Sequence, residues 1–254
     1  MKIKNPHTIS VGFVTKASIK EVPMLFQTPM VKALLAGTKT ETRRDKNIKE
    51  INQNPDNFRP MYAKDGIYSF CDETKDCKVD IKCPWSKNNV LWCKETWKPA
   101  IRMAEGAMGE YPMVRYKADS SEVPVSPEDY DWFTNLTKDG KYNYQSSMFM
   151  RRKFARIFLK ITEVKLERLH DITEEGAIAE GIEPWGSIQG AYFRNYSKNA
   201  TTYIKHPNHE SPALNSPIKS YKSLWDKING AGSWESNPYI WVIKFTKIEN
   251  YGNV

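Results

Sequence analysis

The stretch GTKTETRR, residues 37–44, places an amine, a hydroxyl and two guanidiniums on one short segment: Lys39, Thr42, Arg43 and Arg44. In a cleft beside Arg44, burial and the neighbouring charge disfavour the ammonium form of Lys39, and a neutral amine is a base able to deprotonate Thr42 or a water. Amide hydrolysis needs such an activated nucleophile, a proton donor for the leaving amine and support for the oxyanion. Spacing sets a condition. Residues three apart on an extended segment face opposite sides, so a turn or bulge must lie between Lys39 and Thr42. One carboxylate draws notice as well: Glu180 falls in the last turn of a predicted helix, where it opposes the helix dipole and invites a functional explanation.

Singly, each residue has an ordinary role to weigh against this. Lys39 suits the C-terminal end of a helix, Thr42 suits a strand, and Arg43 and Arg44 suit a solvated surface. Only their joint occurrence argues for chemistry. The same residues also support binding alone: Arg43, Arg44, Arg151, Arg152 and Lys153 can grip phosphates, while Trp92 and Trp97 can stack on bases at ~1–3 kcal/mol each. A ribonuclease using Lys39 and Glu180 ranks last, because none of His7, His170, His206 and His209 sits in a motif.

Several elements must position these groups. TPMVKALLAG predicts a short helix with Thr28 as cap, Pro29 at its first position, Val31, Leu34 and Leu35 on its apolar face and Gly37 at its end. VLWCKETW (90–97) and VRYKAD (114–119) read as strands. In FARIFLKITEVKLERL (154–169), Ile157, Leu159 and Ile161 alternate on one face before the apolar phase slips by one to Val164 and Leu166, which is the mark of a β-bulge. DITEEGAIAEG starts like a capping box, with Asp171 and Glu174, and stops at Gly181. SPIKSYKSLWDKING carries a core stripe of Ile218, Tyr221, Leu224, Trp225 and Ile228. YIWVIKFTKI (239–248) alternates as a half-buried strand.

Strands outnumber helices, so the expected class is α+β, organised around a partly closed barrel with short flanking helices. Residues 1–22 are read as an N-terminal extension and 23–250 as a single domain, with insertions near 45–80, 120–147 and 184–215. Of these, 120–147 and 184–215 read as long loops. The 254 residues suffice for a sizeable core, and the formal net charge of +8 favours phosphate-bearing partners. No window approaches the ~18 apolar residues of a membrane span, and MKIKNPHTIS lacks the apolar run of a signal peptide, so a cytoplasmic location is expected. There Cys71, Cys77, Cys83 and Cys93 are expected as thiols, since their spacings match none of the tight zinc patterns. Neither a metal nor a cofactor is called for.

Taken in order, PMLFQTPMVKALLAGTKTETRR, CPWSKNNVLWCKETW, YKAD, FARIFLKITEVKLERLHDITEEGAIAEGI and SYKSLWDKINGAGSWESNPYIWVIKF resemble the ASCH-domain proteins of bacteriophages and prophages, in the PUA-like superfamily. The resemblance spans residues 23–248 with gaps. It implies a PUA-like β-barrel with a cleft, and RNA or nucleoside ligands inside a bacterial host cell. The family's glycine-x-lysine-x-x-threonine-x-arginine signature falls on Gly37, Lys39, Thr42 and Arg44. Small relatives that hydrolyse acetylcytidine use this lysine and threonine with a glutamate, which the resemblance places on Glu180. The cleft edge would include Trp92 and Glu95. There the chain departs from its phage relatives: Asn88-Asn89 replaces glycine-aspartate, and Cys93-Lys94 replaces valine-arginine.

Overall fold

The computed structural model describes residues 19–103, 109–185, 192–197, 203–206, 209–249 and 251. In chain order the elements are β1 (Glu21–Leu25), α1 (Thr28–Leu35), β2 (Glu41–Arg44), β3 (Phe58–Lys64), β4 (Ile67–Asp72), β5 (Cys77–Lys82), β6 (Val90–Lys94), β7 (Trp97–Met103), β8 (Glu110–Tyr116) and β9 (Glu122–Pro124). They continue with α2 (Tyr130–Thr137), β10 (Phe158–Arg168), α3 (Glu174–Ala179), β11 (Pro184–Trp185), β12 (Tyr192–Arg194), β13 (Tyr203–His206), β14 (His209–Leu214), α4 (Pro217–Asn229) and β15 (Tyr239–Ile248). The class is α+β. Most of the proposed N-terminal extension, and His7 with it, lies outside the described residues.

The principal sheet has five strands in the order β1-β6-β10-β15-β2, with β1 and β6 parallel and the remaining neighbours antiparallel. It is open, with β1 and β2 at its edges. Three smaller sheets, β11-β12-β14-β13, β3-β4-β5 and β7-β8-β9, accompany it. The register of β10 against β15 shifts between Ile161 and Glu163, so the bulge falls where the apolar phase slips. β15 departs from simple alternation: Tyr239 through Ile243 are all buried. Side chains from both of its faces join the main core, as happens in a central strand packed above and below.

Two cores result. The main one gathers Phe26, Val31, Leu34, Leu91, Ile161, Trp225, Trp241 and Ile243 among others. A second encloses Trp97, Val114, Tyr116, Val125, Phe133, Met150 and Phe154. The stretch 120–147 is therefore not one long loop: β9 and α2 lie within it and supply Phe133 to the second core. Likewise 45–80 holds β3 and β4 and runs into β5, and strands recur between 184 and 215. Among the described residues no helix is long and apolar enough to cross a membrane.

Candidate active site

The site begins at the end of α1. Gly37 takes φ +73°, Thr38 N–H donates to Ala33 O at 3.0 Å and Gly37 N–H to Leu34 O at 3.2 Å, which is a Schellman closure. At the other end Thr28 is already helical; Gln27 is the cap residue and makes no side-chain capping bond. After the closure, Thr40 N–H donates to Ala179 O at 2.9 Å, and Phe245 N–H donates to Thr40 O at 3.0 Å. Lys39 thus sits in a non-strand link before β2, joined on one side to the end of α3 and on the other to β15.

α3 is capped by Thr173, whose hydroxyl accepts from Gly176 N–H at 3.1 Å, two residues later than the sequence pattern predicts. Asp171 instead accepts from Arg168 N–H in the preceding 3-10 turn. Glu180 occupies the C-cap of α3, and Gly181 follows with φ +82°. A Cβ at Gly181 would lie 2.8 Å from Ala33 Cβ and 3.0 Å from Lys39 Cβ, and one at Gly176 would lie 2.8 Å from Arg43 Nη2. Two glycines of one short segment therefore make room for the charges around it.

Those charges are shut away from solvent, with Lys39, Thr42 and Glu180 exposed by 3%, 1% and 2%. Lys39 Nζ donates to Glu180 Oε2 at 2.5 Å, to Glu180 O at 2.8 Å and to Glu41 O at 2.8 Å. Arg43 Nη1 donates to Glu41 Oε1 at 2.6 Å and to Glu180 Oε1 at 3.4 Å, and the Tyr221 hydroxyl donates to Glu180 Oε1 at 3.3 Å. Burial pushes the Glu180 carboxyl up, but Lys39 and Arg43 together outweigh it and hold the group below the usual carboxylate range. For Lys39 burial wins over the attraction of Glu180, so its ammonium is more acidic than an ordinary lysine's. Burial and the Glu180 charge raise the Tyr221 phenol well above its ordinary value, keeping it a donor.

Thr42 and Glu180 line one small cavity of about 80 Å³, together with Arg43, Tyr221, Leu224 and Trp225. The Thr42 hydroxyl is buried and has no hydrogen-bond partner among the described residues. Lys39 is not on the cavity wall and meets it only through Glu180. The dipole cost of a carboxylate at the C-cap is offset here by two cations close to it.

The other predicted binding residues stand elsewhere. Arg44 is half-buried at the cavity's edge; its Nη2 donates to Leu25 O at 2.9 Å, and its Cζ lies 5.4 Å from the Phe26 ring centre. Trp92 is half-buried on β6 beneath the Lys94 ammonium. Glu95 is buried and engaged by Arg156 through two bonds of 2.8 Å. Trp97 is 2% exposed inside the second core, with its ring 5.7 Å from that of Trp132, so it has no free face for a base. Arg151 pairs with Asp129 and lies over the Trp132 ring, and Arg152 grips both carboxylate oxygens of Glu21. None of Trp92, Glu95, Trp97, Arg151 and Arg152 lines the small cavity.

Sequence reasoning passed over Tyr221, placed in a core stripe, and Glu41 and Arg156. A tyrosine in an otherwise aliphatic and Trp-bearing stripe was the available signal, since its hydroxyl needs a partner once buried. All four cysteines are free thiols, and burial raises Cys83 to about 11. Among the described residues no group of three or more His, Cys, Asp or Glu side chains could hold a metal ion. No protein-family model, curated protein or solved structure matches the chain.

Proposed function

We propose that this is an ASCH-type, PUA-like protein that binds a nucleoside or RNA and hydrolyses a small acyl amide on a nucleobase, such as that of acetylcytidine. On this reading the five-stranded sheet is the partly closed barrel, with the side chain of Arg44 spanning from edge strand β2 to Leu25 on edge strand β1. The observation that carries it is the unpartnered, buried Thr42 hydroxyl on the wall of the cavity that Glu180 also lines. A polar group left unsatisfied in a protein interior costs about 1–3 kcal/mol, and such an expense is explained where a ligand supplies the missing partner.

The chemistry follows from the pair beside it. Proton transfer from Lys39 to Glu180 across 2.5 Å converts a buried ion pair into a neutral amine and a carboxylic acid, which a low-dielectric site tolerates. A water held by Thr42 adds to the amide carbonyl and passes its proton to the amine, with Glu180 as the relay at the cavity wall. Arg43 is placed to support the oxyanion. Collapse breaks the C–N bond as the leaving nitrogen takes up the proton of the Glu180 carboxylic acid, giving a free carboxylic acid and the free amine and restoring the Lys39–Glu180 ion pair.

A second reading, RNA binding without chemistry, draws on another surface. Lys98 and Lys117 each place an ammonium 5.2 Å from the ring centre of exposed Tyr144, and neither is ion-paired among the described residues. Mass-spectrometric incubation of the pure protein with acylated cytidines and a short RNA, beside Glu180→Gln, separates the two. Deacylation that vanishes in the variant supports the hydrolase. An unchanged panel with salt-sensitive RNA retention supports binding alone.

A further inference from the structure

The small cavity has a larger neighbour. An outer cleft of about 450 Å³ is lined by Leu25, Phe26, Gln27, Lys46, Trp85 and Ser147 among others, and it shares Met30, Arg44, Asp45 and Ile228 with the inner cavity. Those four residues are the wall between the two spaces. Binding sites for small molecules usually measure roughly 300–1,000 Å³, so the outer cleft has the capacity for a ring system and the inner cavity does not. At about 80 Å³ the inner cavity holds roughly two or three waters, the scale of a two-carbon acyl group.

We propose that Arg44 is a movable partition and specificity determinant: a planar amide-bearing ring occupies the outer cleft, and its short acyl arm enters the inner cavity when the guanidinium leaves Leu25 O. This rests on the reading of the inner cavity as the reacting site. Three features single out Arg44. It makes no ion pair among the described residues, whereas Arg43 is fixed by Glu41 and Glu180. Its hydrogen bond to Leu25 is solvent-exposed, so little is lost when it breaks. A ligand carbonyl offers the same kind of acceptor as the Leu25 carbonyl, and the guanidinium can pass from one to the other. The outer walls suit a flat ring with polar edges: Leu25, Phe26, Trp85 and Ile228 are apolar, while Gln27 and Lys46 supply polar contacts.

The test reads access to the inner cavity without any turnover, so failure of the hydrolase reading and failure of the partition remain distinct. In a Thr42→Cys background, iodoacetamide labelling is followed by peptide mass mapping, which counts the native cysteines separately. Labelling at position 42 is expected to be slow, to accelerate tenfold or more on adding Arg44→Ala, and to slow again with saturating N-acetylcytidine. Cys93, buried on β6 and near enough to Arg44 to feel its charge, reports any opening of the core behind the partition and should stay unlabelled. Unchanged labelling at position 42 would overturn the partition. Should Arg44→Ala also expose Cys93, Arg44→Lys decides: a several-fold rise at position 42 with Cys93 protected supports the proposal, and no rise refutes it.

Discussion

Lys39 Nζ and Glu180 Oε2 stand 2.5 Å apart with both side chains closed to solvent, and the remaining ammonium protons are taken by the carbonyls of Glu41 and Glu180. The ammonium has no proton to offer a ligand. On the proposed reading, Lys39 therefore acts on whatever enters the cavity only after yielding a proton, or through Glu180.

Glu180→Gln leaves Lys39 and Arg43 without their shared carboxylate. Breaking a buried pair in this way costs about 3–5 kcal/mol, and thermal unfolding should show a fall in Tm on the order of 10 °C.

The pH profile of the parent protein carries the same pair. Because the folded-state pKa of Glu180 is depressed, the folded chain binds fewer protons than the unfolded one in acid, and stability rises with pH. The contribution is complete above about pH 4.3 and is lost as pH falls through the folded value. Urea midpoints measured from pH 3 to 6 should show a shallower acid limb in Glu180→Gln. Equal slopes would remove Glu180 from the account.

Thr42→Val removes the orphaned hydroxyl while keeping the branched shape. Stability should hold or rise by up to about 1 kcal/mol, because an unsatisfied buried group disappears, while deacylation is lost. A large loss of stability would mean that the hydroxyl already has a partner.

Gly181→Ala places a methyl 2.8 Å from Ala33 Cβ on a backbone with φ +82°. The left-handed conformation alone costs about 1–2 kcal/mol, and backbone-anchored atoms crowd the new methyl, so denaturant unfolding should register about 2–4 kcal/mol in all. Gly176→Ala should be destabilising too. There the methyl would lie 2.8 Å from Arg43 Nη2 and 3.2 Å from Glu41 Oε1, the two sides of a buried ion pair, and the about 1 kcal/mol of helix propensity that alanine recovers offsets only part of that disruption.

Arg156→Met strands the buried Glu95 carboxylate, whose pKa burial already raises in spite of Arg156. The loss should be about 3–5 kcal/mol at neutral pH and smaller in acid, where the unpaired carboxyl takes up a proton. Ligand affinity in the folded protein should not change, because Glu95 lies off the cavity. A weakened affinity would return Glu95 to the binding surface.

What the sequence discloses is what local chemistry decides. α1 with its Gly37 closure, the apolar stripe of α4, and the phase slip in β10 follow from residues a few positions apart. Lys39, Thr42 and Glu180 came to notice through their types and a resemblance, and the fold gathers all three into one buried region, with Thr42 and Glu180 on a common cavity. The partners of the remaining candidates could not be read in the same way. Trp97, Arg151 and Arg152 look like a ligand-binding set until β9 and α2 supply the core around Trp97 and Asp129 and Glu21 meet the arginines. Tyr221 passed for packing because its stripe is packing on one side and a hydroxyl contact on the other.

The pairing of β2 fixes when this site can exist. Its sheet partner is β15, with Thr42 opposite Ile243, so the strand that carries Thr42 finds its ladder only after the last strand has been made. Contacts this distant in sequence are slow to close. During synthesis the early helix and its glycine turn can form while the ribosome still holds the rest, but a nascent chain ending before residue 239 lacks the strand that holds β2 and Thr42 in place, however much of its core has condensed. Appearance of the buried Lys39–Glu180 pair alongside a docked β2 thus marks completion of folding.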